Sequence, residues 1–209
     1  MQTAQNQKTR YMVQLALLIA VQIVLNITPL GYIPGVLEVT TMHLPVVIGA
    51  AVLGPMAGAI LGTVFGITSI ISATSRATPT SFVFSPFISG SFRSVLVAVA
   101  PRIIMGVVAG LVFQLLAKTK LNYRISAGIA AGVGTFCNTA LVLGGIYVLY
   151  GEAYAAALNM PYEALLAGFL AVVASNGMLE MLLAVAVAAV LVTPLRTVAG
   201  LPRQTQPKE

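Results

Sequence analysis

The sequence predicts an all-α integral membrane protein, built as a bundle of six transmembrane helices. Hydrophobic residues make up 58% of the 209-residue chain and charged residues only 8%, and the mean hydropathy is +0.97. Soluble domains carry about a quarter charged residues, so an ordinary soluble domain is excluded. Clusters of glycine and proline divide the chain into six apolar segments, and a membrane helix needs about 20 residues.

The six predicted spans follow one another with short connections, and their ends are given to within a few residues. They are residues 11–28, 42–54, 56–73, 94–117, 124–150 and 162–195. The second is short, because about 13 residues rise only about 20 Å. We expect it to pair with the third through the tight turn at Gly54 and Pro55. This division predicts an N-terminal tail (1–10), a transmembrane domain (11–195) and a C-terminal tail (196–209).

The basic residues predict which side of the membrane the ends of the chain occupy. In a six-span topology, eight of them share the side of the two termini: Lys8, Arg10, Lys118, Lys120, Arg124, Arg196, Arg203 and Lys208. The opposite side receives only Arg76 and Arg93. Because Lys and Arg are concentrated in cytoplasmic loops, both termini are expected to be cytoplasmic.

Glycines recur at a spacing of four residues in three of the predicted helices. They are Gly54, Gly58, Gly62 and Gly66, then Gly106 with Gly110, and Gly128 with Gly132. Small residues at this spacing let helix backbones approach closely in lipid, so these rows predict tight packing inside the bundle.

Residues 72–93, called the lid segment below, form a long external connection rich in Ser, Thr and Pro. Phe82, Phe84, Phe87 and Phe92 lie within it. Long connections in compact proteins are usually lids, binding loops or disordered, and the aromatic residues favour a lid that packs over something. The first external loop, residues 31–38, adds Tyr32 on the same side.

Four polar residues, which are energetically unfavourable inside a membrane, lie deep in the last three predicted spans: Arg102, Asn138, Asn176 and Glu180. Such groups face the bundle interior and find partners there, and Asn176 and Glu180 share one helical face. They either form an internal ion pair of Arg102 with Glu180 steadied by the asparagines, or line a cavity under the lid segment. In the cavity reading Arg102 receives an anionic solute.

Four further residues are candidate solute contacts from the external side: Tyr32, Arg76, Arg93 and Tyr147. We rank them below Arg102 and the asparagines as contacts of the solute.

Several chemistries are excluded or disfavoured by missing motifs. None of the four lysines follows a glycine, so the chain has no ATP-binding P-loop. His43 is the single histidine and Cys137 the single cysteine, so neither a histidine nor a cysteine metal cluster is predicted. His43 is interpreted as a capping or packing residue, with a smaller weight on ligand contact or proton relay. We therefore expect no enzyme and no cofactor on this chain.

The first predicted helix carries two different faces. Ala16 and Ala20 form a small flat patch, while Gln22 and Asn26 cluster roughly 120° around the same helix. The polar face is expected to look inward, and an outward alanine patch suits docking against a helix of another protein.

Together these features resemble the substrate-binding S component of an energy-coupling factor (ECF) vitamin transporter. The resemblance covers residues 11–195: Ala-x-x-x-Ala in the first helix, a short second helix, a long external loop before the fourth, and buried polar positions in the last three. The run EVTTMHLPVVIGAAVLGPMAGAILGTVFG, followed by SFVFSPF and PR, is most similar to the pantothenate-specific branch, with the hydroxymethylpyrimidine type as the alternative.

The resemblance implies a multi-pass subunit of a bacterial cell membrane that captures a vitamin outside and topples in the bilayer to deliver it inward. It implies three partners, a transmembrane coupling subunit and two cytoplasmic ATPases, which would carry the ATP and Mg²⁺. Ala16 and Ala20 would contact the coupling subunit. Two rival functions are a membrane scaffold, and a stand-alone proton-coupled carrier in which His43 and Glu180 relay protons.

Overall fold

A computed structural model describes residues 2–33 and 39–198 of the chain, and the side chains of residues 6–31 and 40–197. Its helices are α1 (Gln2–Ile27), α2 (Leu44–Leu53), α3 (Pro55–Ser75), α4 (Pro86–Ser89), α5 (Arg93–Leu116), α6 (Tyr123–Ala157), α7 (Tyr162–Val172) and α8 (Met178–Val198). A 3-10 turn, Ser81–Val83, precedes α4, and a π-helical turn, Val173–Gly177, joins α7 to α8. Two short antiparallel strands, β1 (Tyr32–Ile33) and β2 (Val39–Thr40), pair Tyr32 with Thr40.

Five helical stretches within the described residues are long and apolar enough to cross a membrane. They are Asn6–Ile27, Pro55–Ser75, Arg93–Leu116, Tyr123–Ala157 and Tyr162–Thr197. Each coincides with one of the predicted spans. The remaining predicted span is the shorter apolar helix α2, whose ten residues are too few for a perpendicular crossing.

The short helix α2 lies at the centre of the bundle. Every residue from Pro45 to Val52 is buried, and α2 packs against α1, α3, α5, α6 and α8. A helix that is apolar on all sides has to be buried, and neighbouring helices can bury it as well as lipid can. The brevity of this segment therefore reflects a core position.

Two predicted loops contain more helix than the sequence analysis expected. Residues 151–157 of the fifth connection continue α6, because the run EAYAAA consists mainly of good helix formers. In the lid segment, residues 72–75 still belong to α3, and the 3-10 turn and α4 follow. At the N-terminus α1 already begins at Gln2, within the predicted tail, whereas residues 199–209 of the C-terminal tail lie outside the described residues.

The glycine rows of α3 and α5 bring these two helix backbones into direct contact, as predicted, whereas Gly128 and Gly132 of α6 lie against the side chain of Val185. A Cβ atom added to Gly58 would collide with the backbone of Gly106, and one added to Gly106 would collide with Gly58. A Cβ on Gly66 would lie 2.7 Å from the Cα of Val99. These contacts join α3 to α5 so closely that the side chains of both helices are fixed relative to each other.

We expect Gly106→Ala to lower the melting temperature of the purified protein by several degrees. The added methyl group would collide with the Gly58 backbone, and overpacking of this kind costs about 1–3 kcal/mol. Gly144→Ala is the matched control, because a Cβ at Gly144 meets nothing within 4 Å. Equal melting temperatures for the two variants, measured in detergent, would show that α3 and α5 are not in backbone contact.

Candidate functional site

Arg102 is buried in α5, and its guanidinium is held by the backbone defect that Pro101 creates. Proline has no N–H, so the carbonyl of Val97, four residues earlier, loses its helical partner. Arg102 Nη1 donates to that carbonyl oxygen at 2.7 Å. The side chain is 7% exposed, so the charge is turned into the protein and away from lipid.

Two aromatic rings enclose the guanidinium of Arg102. Its central carbon lies 5.4 Å from the ring centroid of Phe65 on α3 and 5.2 Å from that of Phe84 in the lid segment. Both distances are within the range of cation–π attraction. A guanidinium has five N–H donors, so the bond to Val97 positions the group without exhausting its capacity to bind a solute.

A cavity of about 310 Å³ lies between the last turns of α3, the lid segment and α5. We call it the arginine cavity. Its lining combines two guanidiniums with hydroxyl groups and one ring: Ser69, Ser72, Ala73, Arg76, Thr78, Thr80, Ser81, Phe84 and Arg102. The volume is at the lower end of the range for small-molecule sites. The chemistry of the lining suits a small, hydroxylated anion.

The lid segment is fastened to the helices on either side of the arginine cavity. Thr74 Oγ1 and the buried Ser85 Oγ lie 2.7 Å apart at its start. At its end the hydroxyl of Ser94 donates to the carbonyl of Phe82 and also lies 2.8 Å from the hydroxyl of Tyr150. These bonds hold the segment against α3, α5 and α6 at the edge of the cavity.

Two of the four phenylalanines of the lid segment pack inward, as the lid interpretation expects. Phe84 covers the guanidinium, and Phe82 meets Tyr150 edge to face at 5.7 Å between ring centroids. The other two, Phe87 and Phe92, are 80% and 74% exposed in the isolated chain. Their rings lie on the outside of the fold and take no part in the cavity.

Arg76, at the end of α3, shares the arginine cavity with Arg102. Its Nη2 atom donates to the backbone carbonyl of Asn26 at 3.3 Å and to the hydroxyl of Ser72 at 3.3 Å. Two of the predicted contact residues are thereby brought into one site, and the second cation is tied to the end of α1.

The other three buried polar residues lie apart from the lining of the arginine cavity. Glu180 Oε1 accepts a hydrogen bond from Thr40 N at 2.8 Å and so ties strand β2 to α8. Asn138 is half-buried on α6, and its Oδ1 atom has no hydrogen-bond partner within the described residues. Asn176 lies in the π-helical turn.

The structure does not join Arg102 and Glu180 in an ion pair within its described residues. Arg102 donates to Val97, whereas Glu180 accepts from Thr40. Of the four polar residues, Arg102 alone lines the arginine cavity, so the described geometry does not decide between the two readings.

The remaining candidates are spread over the external side. Arg93 is exposed at the start of α5, outside the arginine cavity. Tyr147 stacks on Tyr162 at 5.5 Å and borders a separate open depression of about 340 Å³ that Glu152 also lines. The backbone of Tyr32 belongs to β1, but its side chain lies outside the described part.

The interpretation of His43 as a capping or packing residue is confirmed, because its side chain packs in the core. The side chain is 1% exposed and lies at the N-cap of α2. It makes no capping hydrogen bond, and the proline that follows within the first helical turn of α2 already removes one N–H that a cap would satisfy.

The two faces of α1 point as predicted. Gln22 is fully buried, and its Nε2 donates to the carbonyl of Leu61 at 3.3 Å. Asn26 Oδ1 accepts from the hydroxyl of Ser72 at 2.8 Å. Ala16 and Ala20 are exposed on the opposite side of the helix.

The hydroxyl residues that line the arginine cavity were not among the residues predicted from the sequence. A signal was present, because Ser69, Ser72 and Arg76 are spaced by three and four residues and therefore share one face of α3. A polar face at the end of an otherwise apolar span points to an internal cavity, and this one faces Arg102.

Comparisons with known proteins agree with this architecture. Residues 10–192 match the family described as "ECF transporter, substrate-specific component". The chain is also similar to the pantothenic acid transporter PanT of Lactococcus lactis subsp. cremoris, with 37% identity over 180 residues that cover 83% of each protein. The family match takes in all of the candidate membrane spans except the first residues of the first and the last residues of the last. The chain therefore belongs to the family of substrate-specific components of ECF transporters.

Proposed function

We propose that this chain is the pantothenate-binding subunit of an ECF-type importer. The observation that carries the proposal is the fixed guanidinium of Arg102 inside a hydroxyl-rich cavity. The relative from Lactococcus lactis, whose name refers to pantothenic acid, covers the segment that contains this cavity. Neither the cavity nor the relative alone selects the vitamin, but the two agree.

Pantothenate offers the groups that the arginine cavity can bind. Its carboxylate is placed against Arg102, where charge-assisted bonds from a fixed guanidinium are strongest. Its hydroxyl and amide groups are placed against the serine and threonine side chains of the lining. Its gem-dimethyl group needs an apolar wall, which the ring of Phe84 supplies.

Asn138, Asn176 and Glu180 are proposed to complete the binding region from α6, the π-helical turn and α8. Glu180 acts through strand β2, since its bond to Thr40 N fixes the end of the first external loop over the bundle. The unsatisfied oxygen of Asn138 is an acceptor for a hydroxyl or amide of the solute. In this arrangement the solute does not contact Tyr32, Arg93 or Tyr147.

The topology and partners follow from the proposed role. A transporter subunit of this family is a multi-pass membrane protein of the bacterial plasma membrane and not an enzyme. We propose that all six apolar helices act as one transmembrane domain with cytoplasmic termini, and that a coupling subunit and two ATPases, which hold the ATP and Mg²⁺, energise it. Toppling of the loaded subunit on the coupling subunit then delivers the vitamin inward.

A thermal-shift experiment on the purified chain tests the proposed ligand. A ligand at about 100 times its Kd stabilises the folded state by about 2.7 kcal/mol, which raises the melting temperature of a protein of this size by several degrees. We expect pantothenate to do so, and panthenol, which replaces the carboxylate with a hydroxyl group, to do so weakly.

Three outcomes would contradict the proposal in different ways. Stabilisation by hydroxymethylpyrimidine but not by pantothenate would assign the other vitamin. A response to neither, in a panel of vitamins, would favour a scaffold. Pantothenate uptake by proteoliposomes that contain this chain and no ATPase would favour a stand-alone carrier.

A further inference from the structure

The end of α1 is tied to the wall of the arginine cavity by three hydrogen bonds around Asn26. The hydroxyl of Ser72 donates to Asn26 Oδ1 at 2.8 Å. Nη2 of Arg76 donates to the Asn26 carbonyl and to the Ser72 hydroxyl, both at 3.3 Å. Ser72 and Arg76 line the cavity, whereas Asn26 does not. We call this group of three residues the α1 link.

The α1 link is one of two described polar attachments of α1, and both reach α3. The other is the bond from Gln22 to the carbonyl of Leu61. Most of the remaining side chains of α1 are exposed, as expected for a helix that lies at the edge of a bundle. A change at the α1 link therefore alters the position of α1 more than it would alter a central helix.

The same helix carries the exposed pair Ala16 and Ala20. Along the helix axis these residues lie about 15 Å and about 9 Å from Asn26, at 1.5 Å per residue. A rigid helix transmits a displacement of one end over such distances. The alanine patch and the attachment to the cavity wall therefore lie on the same rigid helix.

We propose that Asn26 is the positioning residue that couples occupancy of the arginine cavity to docking through α1. The inference rests on the proposed function. Arg76 Nη2 donates to the backbone carbonyl of Asn26 and to the hydroxyl of Ser72, which in turn donates to the Asn26 side chain. A carboxylate in the cavity is a stronger acceptor for a guanidinium than either of these neutral oxygens. An anionic solute draws Arg76 toward itself, weakens the α1 link and frees α1 to adjust to a partner helix.

Thermodynamic linkage makes this coupling reciprocal. If solute binding loosens α1, and docking also requires a loosened α1, then pantothenate increases the affinity for the energising module, and the module increases the affinity for pantothenate by the same factor. A subunit without its solute docks less well, so the module would preferentially engage loaded subunits.

The test measures docking with and without solute. The labelled chain and the coupling-subunit–ATPase module are reconstituted in liposomes without ATP, and their affinity is obtained from energy transfer. For the wild type we expect saturating pantothenate to raise this affinity by about fivefold or more, the lower end of typical allosteric coupling. Asn26→Ala and Ser72→Ala both remove the bond from the Ser72 hydroxyl to Asn26 Oδ1 but keep the backbone carbonyl that Arg76 binds, so for each variant we expect pantothenate to raise the affinity less than it does in the wild type.

Two variants control for indirect effects. Ser72→Thr keeps the hydroxyl and is expected to keep the response to pantothenate. Ser75→Ala removes a hydroxyl three residues along the same helix, which bonds only to the carbonyl of Ile71 among the described residues and does not line the cavity. It is also expected to respond like the wild type. Because each variant is compared with itself, a direct effect of Ser72 on solute affinity cancels at saturation.

The possible failures can be told apart. A wild-type chain that binds pantothenate but docks equally well without it, or an Asn26→Ala variant that keeps the full response, overturns the coupling and leaves the proposed function standing. A wild-type chain that binds no pantothenate overturns both. If one variant fails to fold, the other still breaks the same hydrogen bond.

Discussion

Replacing Arg102 with alanine is expected to lower the affinity for pantothenate by about tenfold or more, while the protein still folds. A hydrogen bond to a charged group contributes about 1.5–3 kcal/mol, and 1.4 kcal/mol is a factor of ten in affinity. The substitution also leaves the carbonyl of Val97 without its partner, because Pro101 cannot supply one. Isothermal calorimetry on the purified chain measures the affinity.

Panthenol separates a lost carboxylate contact from general damage. The wild type should prefer pantothenate to panthenol, and Arg102→Ala should bind both with the same low affinity. Arg93→Ala is the matched control, since Arg93 belongs to the same helix but is exposed and does not line the cavity. An Arg102→Ala variant that keeps the preference for pantothenate would remove Arg102 from the site.

The positions of the membrane helices could be predicted from the sequence because lipid imposes a strong rule. Every span has to be a long apolar helix, so all five long spans were found, although the start of the first and the end of the fifth predicted span differ from the structure by five or more residues. The path of the chain outside such spans follows no comparable rule. Residues 151–157 continue α6 because their alanine-rich composition favours a helix, although Gly151 and Glu152 had suggested a loop.

The central position of α2 could not be predicted from its sequence. An apolar segment of this length is compatible with a tilted crossing, a re-entrant segment or a buried core helix. The neighbouring helices determine which of these applies. Glycines on α3 and α5 let the two helices approach each other, and both helices pack against α2. Packing of this kind depends on several segments at once.

The inward position of Arg102 could be predicted, because a charge in an apolar helix is energetically unfavourable unless it is turned into the bundle. The hydrogen-bond partner of Arg102 could also have been predicted, since Pro101 leaves the backbone carbonyl of Val97 without its helical donor. The same reasoning found Asn176 and Glu180, but not their direction. The π-helical turn Val173–Gly177 changes the angular spacing along this helix, so positions inferred at 100° per residue do not hold across it.

The pair of substitutions Ala16→Trp and Ala20→Trp is expected to abolish co-purification with the coupling subunit and to leave pantothenate binding intact. Both alanines are exposed on the side of α1 opposite to Gln22, which is buried, so two indole rings fit without disturbing the bundle. They would hold a partner helix several ångströms away, and close helix packing in lipid requires small residues at the contact. Affinity purification of the complex, followed by gel electrophoresis, measures the loss.

A second pair of alanines on this chain gives a control with the same geometry. Ala167 and Ala171 are also four residues apart and exposed, but they lie on the last span and not on α1. Bulk alone, or a general effect of tryptophan on membrane insertion, would act at both pairs, whereas a docking surface on α1 would be lost only at the first. Normal recovery of the complex with Ala16→Trp and Ala20→Trp, or equal loss with both pairs, would show that the partner docks elsewhere, and the α1 link would then have no docking surface to act on.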